Sequence, residues 1–250
     1  MPGNTPWIGA GDDKLYLQSG EFSATLKDSQ AVGAIETVPT GIAWDGTNTP
    51  WIGRTDDKLY LQSGQFSGTM KTSLSIGLVD VDPQDISWDN TNTPWIGAGD
   101  DKLYLQSGEF SATIKTSRAV GTIDTTCVGI SWDTTNTPWS GNAADKFYLQ
   151  SGQFSATLKT SRASPALDPH GISWDGTNTP WTNTSVTKKA LMLQSGQFSA
   201  TIKTSLTIGA IDSDLRGIEN TNRIAVAPAV ALPGHGLLLS GLRNRLIQHV

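Results

Sequence analysis

Residues 85–117 read DISWDNTNTPWIGAGDDKLYLQSGEFSATIKTS, and the fold is decided here. Asp85 to Asp89 alternates apolar and polar side chains around Ile86 and Trp88, as a half-buried strand does. Asn90-Thr91-Asn92 is turn chemistry. Thr93 to Gly97 reads as a second strand, with Pro94 near its start, where a missing N–H is tolerated. A turn over Ala98 to Asp101 leads into Lys102–Gln106, which alternates cleanly as a third strand. Ser107-Gly108 is a candidate two-residue hairpin, since Gly accepts a positive φ. Phe110 to Ser117, rich in Ser and Thr, completes a fourth strand. Arg118 to Val128 is a looser connection to Gly129-Ile130-Ser131-Trp132, where the pattern begins again.

The whole chain is this unit repeated. Thr-Pro-Trp places Trp at 7, 51, 95, 139 and 181, with spacings of 44, 44, 44 and 42. Ser-Gly-(Glu/Gln)-Phe places Phe at 22, 66, 110, 154 and 198, always 44 apart. The fifth copy therefore lost two residues before Trp181 and gained two between Trp181 and Phe198. Insertions and deletions are accommodated in loops, so both segments are read as loops. Four short strands in a unit of this length is the signature of a propeller blade. Glycine and proline punctuation leaves no 3.6-residue period for a helical solenoid. The fold class is all-β, a single propeller of five or six four-stranded blades.

In strand order the unit resembles the blades of NHL-type and related six-bladed propellers. The matching pieces are Gly129-Ile130-Ser131-Trp132-Asp133, Pro138-Trp139-Ser140-Gly141 and Asp145-Lys146-Phe147-Tyr148-Leu149. The resemblance covers nearly the whole chain and implies architecture alone. The stretches WDGTNTPW (44–51) and LQSGQF (61–66) are also similar to repeats of phage and environmental proteins.

Two closures are open. The inner-strand motif stands at Gly41-Ile42, Asp85-Ile86, Gly129-Ile130 and Gly171-Ile172, and in worn form at Gly217-Ile218. The chain enters its first blade at the second strand, so 217–220 could supply the missing inner strand and close five blades. Alternatively, a shift of 45 sets Leu193-Gln194-Ser195-Gly196 on Leu238-Leu239-Ser240-Gly241 and Trp181 on Val226. That match favours six blades with an incomplete first one. The organisation is then five tandem units over 1–220, followed at 221–250 by a degenerate sixth blade or a C-terminal docking segment.

Composition narrows the function. A formal charge of −5 argues against a nucleic-acid or anionic-membrane role. The longest apolar run, Ile224 to Leu242, is broken by two prolines and His235, which argues against membrane insertion. Met1 leads directly into the first repeat without signal-peptide character, and a soluble chain is expected. A single cysteine, Cys127, permits no internal disulfide and reads as a small buried hydrophobe.

Two sets of tryptophan are the first candidate site. Trp44, Trp88, Trp132 and Trp174 alternate with Ile on inner strands and are expected between blades. Trp7, Trp51, Trp95, Trp139 and Trp181 follow Pro beside a turn, and are read as the more exposed set, able to stack on sugars. The copies differ at Arg54, Asn142 and 182–189, and at Arg118, Arg162 and Leu74, assigned to loops that share one face. Arg54, Arg118 and Arg162 therefore join the tryptophans as ligand-binding candidates. The pairs Asp12-Asp13, Asp56-Asp57 and Asp100-Asp101 offer too few oxygens for calcium and suit turn capping. His170, expected in a solvated turn, and His235 and His249 have no metal-ligand spacing. No catalytic constellation, metal or cofactor is expected. Near-identical copies present the same surface many times, whereas catalysis needs different groups at one point. The expectation is a non-enzymatic multivalent binding or adhesion module for a glycan or protein surface, such as a viral or cell-surface appendage. The alternative is a structural protein that self-assembles through its C-terminal segment.

Overall fold

The alternation of the repeat becomes antiparallel sheet. The computed structural model describes residues 4–20, 23, 25–184, 189–199 and 201–219, and among these every regular element is a strand. Blade 1 begins with β1 (Thr5–Gly9), β2 (Lys14–Gln18) and β3 (Leu26–Ala31). Blade 2 is contiguous: β4 (Pro39–Ile42), β5 (Asn48–Gly53), β6 (Lys58–Ser63) and β7 (Met70–Ser75). Blade 3 holds β8 (Pro83–Ile86), β9 (Thr93–Gly97), β10 (Lys102–Gln106) and β11 (Ile114–Ala119). Blade 4 holds β12 (Cys127–Ile130), β13 (Thr137–Gly141), β14 (Lys146–Gln150) and β15 (Leu158–Ala163). Blade 5 holds β16 (Pro169–Ile172), β17 (Thr179–Asn183), β18 (Ala190–Gln194) and β19 (Ile202–Thr207). The last strand, β20 (Leu215–Ile218), returns to blade 1 and pairs antiparallel with β1, setting Trp7 opposite Ile218 and Gly9 opposite Leu215.

This pairing corrects the preference for six blades with an incomplete first one. β20 completes blade 1, and the inner strands β4, β8, β12, β16 and β20 neighbour one another in an unbroken circle. The physical reason is that β1 would otherwise expose an unpaired edge, and 215–218 already lies where the next inner strand must stand. Residues 221–250, read as a sixth blade or docking segment, lie outside the described residues.

The core consists of five wedges, one at each seam. At the seam of blades 2 and 3, Ala43, Ile52, Leu59, Leu61 and Ile76 meet Ile86, Trp95, Tyr104 and Phe110. Blade 3 turns its other face, with Ile96, Leu103, Leu105 and Val120, to Trp139, Tyr148 and Phe154 of blade 4. Period-two alternation thus sends Trp and Tyr to the preceding blade and Ile and Leu to the following one. Within a blade, Trp95 lies opposite Tyr104 and their rings stack at 4.2 Å. The Trp95 indole N–H donates to Gln106 Oε1 at 3.1 Å, so the ring is buried without orphaning its polar atom.

The third-to-fourth connection departs from the expected two-residue hairpin. β10 ends at Gln106 and β11 begins at Ile114, so Phe110 lies in a turn and not on the fourth strand. Phe66, Phe110, Phe154 and Phe198 adopt φ of 59 to 61°, unusual for a bulky residue. All four are buried, and aromatic burial in the wedge offsets a backbone cost of about 1–2 kcal/mol. The two-residue loss of the fifth copy falls in 164–168, between β15 and β16, as expected for a loop; the gain falls between Asn183 of β17 and Ala190 of β18, where 185–188 are outside the described residues.

Because β20 closes the ring, a chain ending at residue 219 is expected to fold as a complete propeller. Its circular-dichroism melt should match that of the full chain. A chain ending at 213 should lose several degrees or the cooperative transition. Equal loss in both would mean that 221–250 is needed to complete the ring.

Candidate functional site

The two sets of tryptophan exchange the places expected of them. Trp7, Trp51, Trp95, Trp139 and Trp181 are 0% exposed, and cannot present a face to a ligand in the folded ring. Each sits on the second strand of its blade, in the middle of a wedge. Trp44, Trp88, Trp132 and Trp174 are half-buried. The reason is the shortness of the inner strand. In blade 2, Ile42 enters one wedge and Ala43 the next, so Trp44 falls at the start of the turn, where the wedge opens to solvent.

Each half-buried Trp stands on a rigid turn. Asp45 Oδ1 accepts the backbone N–H groups of Thr47 at 2.6 Å and Asn48 at 2.5 Å, and Asp45 Oδ2 accepts Asn48 Nδ2–H at 2.9 Å. Asp89, Asp133 and Asp175 repeat these bonds. Such Asx capping fixes the turn before any ligand arrives. The following blade adds an amide: Gln153 donates to Asp89 Oδ2, and Gln197 donates to Asp133 Oδ2. At the corresponding seam Glu109 faces Asp45, and the Glu109 carboxyl is pushed up to about 7, first by that contact and then by burial.

The opposite face carries the second-to-third and fourth-to-first connections. Here a buried acid clamps each turn. Asp80, 4% exposed, accepts the N–H groups of Asp82 at 2.8 Å, Gly99 at 3.3 Å and Asp100 at 3.0 Å. Glu36, Asp124 and Asp212 repeat the arrangement. Burial pushes Asp80 up to about 6, with Asp100 facing it. Asp100 is held below its ordinary value in spite of burial, because Lys102 and the Tyr104 hydroxyl, each at 2.6 Å, bond it. The acidic pairs expected to cap these turns are not the caps: the first acid of each pair bonds the lysine and tyrosine of the next strand, and Asp57 and Asp101 take the left-handed backbone at φ 52 and 53°.

Differences between copies gather around the axis on this face. The second residue of the inner strand is Thr40, Gln84, Val128, His170 or Arg216. His170 was expected in a solvated turn; it lies on β16 and is 8% exposed. Arg216 Nη1 lies 3.2 Å from its Nδ1, Asn142 Nδ2 3.3 Å from its Nε2, and Asn142 Nδ2 also donates to Asp168 Oδ1 at 3.0 Å. Asp214 pairs with Arg216 at 2.9 Å. Burial, with Arg216 alongside, holds the His170 imidazole below its ordinary range, and the His170 contact lowers Asp168. Aligning the inner strands residue by residue would have exposed this cluster, because no two copies agree at that position.

The arginines separate. Arg54 lies on this face and forms a two-pronged ion pair with Asp82 of the next blade. Arg118 and Arg162 are not in loops: they lie on the outermost strands, opposite Leu103 and Phe147. Arg118 Nη2 donates to the Ala156 carbonyl of blade 4 at 3.4 Å, a bond between blade rims. Leu74 likewise lies on β7, packed against its wedge. Cys127 is fully buried, and burial pushes its thiol up. Asn183, which heads a formal glycosylation sequon, is 0% exposed and donates to the Leu167 carbonyl.

At the centre of the ring two acids break the repeat. Asp85 stands where the other copies have Gly41, Gly129, Gly171 and Gly217, and Glu219 stands where they have Ala43, Ser87, Ser131 and Ser173. Both are buried, and Ser173 Oγ–H donates to Glu219 Oε1 at 2.5 Å. No group of three or more metal-ligating side chains occurs among the described residues.

No protein-family model and no curated protein matches the chain. Solved structures do. A chain from a nidogen/laminin complex aligns at TM-score 0.55 with 13% identity, over 87% of this chain and 97% of that one. Glutaminyl cyclase of Myxococcus xanthus aligns at TM-score 0.51 with 12% identity, over 73% of this chain and 77% of the other. These likenesses extend to the fold and nothing narrower; the five blades are those of this chain's own sheets. The fold is compatible with a binding module.

Two opposite pH responses follow. The folded state holds His170 below its unfolded value near 6.5, so its share of stability is complete above that value and is lost as pH falls through it. His170→Gln should flatten the fall in urea-melt stability between pH 7 and 5; an unchanged slope would place the effect elsewhere. Glu109 is raised from 4.5 to about 7, so its seam weakens as pH rises through that interval. Glu109→Gln, matching Gln65, Gln153 and Gln197, should raise the melting temperature at pH 8 and leave it unchanged at pH 4. Because Glu109 is exposed, the gain should stay below about 1 kcal/mol.

Proposed function

We propose that this chain is a non-enzymatic, multivalent binding module that engages carbohydrate through Trp44, Trp88, Trp132 and Trp174. The carrying observation is that these four indoles, at equivalent positions beside pre-capped turns, are partly open to solvent while the other five are sealed in the wedges. A pyranose ring has an apolar C–H face that lies flat on an indole, and polar edges that bond carboxylates and amides. Asp89 with Gln153, and Asp133 with Gln197, set such groups beside the Trp-bearing turns. Equivalent weak sites on one rigid face gain strength through effective concentration. The similarity to phage-borne repeats suits recognition of a cell-surface glycan by a particle appendage.

A glycan array tests the reading. The protein should bind a restricted set of glycans saturably, and Trp88→Ala should reduce that signal at least tenfold while keeping a native melt. Trp95→Ala should instead destabilise the fold by about 3–5 kcal/mol, as wedge residues do. Silence across arrays, or full binding by Trp88→Ala, overturns the proposal.

A second reading, assembly through a protein face, is favoured by one observation. Of the seven exposed large apolar side chains among the described residues, Leu26 opens β3, and the other six, Ile35, Leu78, Val79, Val81, Leu167 and Ile211, lie in the fourth-to-first connections, and hence on the face opposite the four tryptophans. The nidogen/laminin neighbour comes from a protein–protein complex, which is compatible with a protein partner. Self-association through 221–250 would appear as a concentration-dependent mass in sedimentation of the full chain, absent from a chain ending at 219.

A further inference from the structure

We propose that the propeller axis is a binding nest for one small carboxyl group, built from backbone N–H groups of the inner strands and filled from within by Asp85. Each inner strand is a sheet edge on its axial side. In blade 2 the Ala43 N–H bonds the Pro50 carbonyl at 2.8 Å, inside the blade, so the preceding N–H of Ile42 faces the other way, towards the axis. Repetition brings Ile86, Ile130, Ile172 and Ile218 to the same place. A Cβ added at Gly41 would stand 2.8 Å from Ile86 N, at Gly129 3.0 Å from Ile172 N, at Gly171 2.7 Å from Ile218 N, and at Gly217 2.7 Å from Ile42 N. At each of these glycines an isoleucine nitrogen of the next blade thus stands where a side chain would begin, and at Gly129, Gly171 and Gly217 a carbonyl oxygen stands there too, at 2.2, 2.6 and 2.9 Å.

Asp85 is the one side chain beyond hydrogen that this ring admits, and it is 1% exposed. Its Oδ2 accepts the Ile130 N–H at 3.0 Å, and the nearby N–H groups of Ile86 and Ile172 favour its ionised form. Three inner strands therefore converge on one carboxyl, as successive N–H groups do in an anion nest. Its Oδ1 is buried without a hydrogen-bond partner. Burial and the nearby Glu219 carboxylate push the Asp85 carboxyl up. The group the axis already holds is a single buried carboxyl, which defines the class of ligand. Formate is the smallest external mimic.

The test uses the full chain with Asp85→Gly, the residue that the other four copies carry there. The variant should melt below the wild type. Sodium formate should then raise its melting temperature saturably, more than sodium chloride at equal ionic strength, while the wild type responds equally to both salts. Equal responses of Asp85→Gly to the two salts would overturn the nest. Should that variant fail to fold, Asp85→Asn and Asp85→Leu decide. Asn keeps an acceptor oxygen and should melt well above Leu, which removes it. A Leu variant at or above Asn would show that the N–H groups need no acceptor, and the proposal would fall.

Discussion

Everything in this molecule depends on the seam at which β20 pairs with β1. A blade of this type cannot bury itself, because each sheet sends large side chains to both of its faces. Trp7 and Tyr16 of blade 1 find cover only against Leu191, Leu193 and Ile208 of blade 5, together with Leu215 and Ile218 of β20. On its other face blade 1 meets Ile42, Trp51, Tyr60 and Phe66 of blade 2. The five wedges form a circle in which no member is complete until the last strand returns. Short β20 thereby links the two ends of the chain, and the ring behaves as one cooperative unit rather than as a stack of independent repeats.

Within that circle the copies have not drifted evenly. Blades 4 and 5 carry Ser140 and Thr182 where blades 1 to 3 carry Ile8, Ile52 and Ile96. Both hydroxyls donate to carbonyls of the following inner strand, Ser140 to His170 at 2.6 Å and Thr182 to Arg216 at 2.5 Å. A buried apolar contact has been exchanged for a satisfied polar one. In the shortened connection 164–168 the acid that clamps the turn elsewhere is missing, and Asp168 N–H instead bonds Asp145 Oδ1 at 2.8 Å.

The geometry separates three environments along one axis. One face offers half-buried aromatics on capped turns. The centre holds two buried acids, Asp85 and Glu219. The far face gathers ion pairs and the side chains in which the copies differ. Arg54 with Asp82, and Arg216 with Asp214, are paired between or within connections. This distribution places repetition on one face and individuality on the other.

The repeat length, the four strands and the all-β class were legible in residues 85–117, because period-two alternation and turn chemistry are local properties. The loop position of the two-residue loss was legible for the same reason. Which tryptophans face solvent was not. Trp44 and Trp51 look alike in sequence, each on a short apolar stretch, and only the wedge between two blades decides that one is sealed and the other half open. Blade number was also beyond local reading, since Leu215–Ile218 resembles an inner strand whether it opens a sixth blade or completes the first. His170 shows the same limit: Pro169-His170-Gly171 reads as a turn, yet becomes a buried inner strand through Asn142, Asp168 and Arg216. The sequence by itself determined the unit and its alternation. Tertiary structure alone decided the number of units in the circle and the side of each wall, because those depend on contacts between copies far apart in the chain.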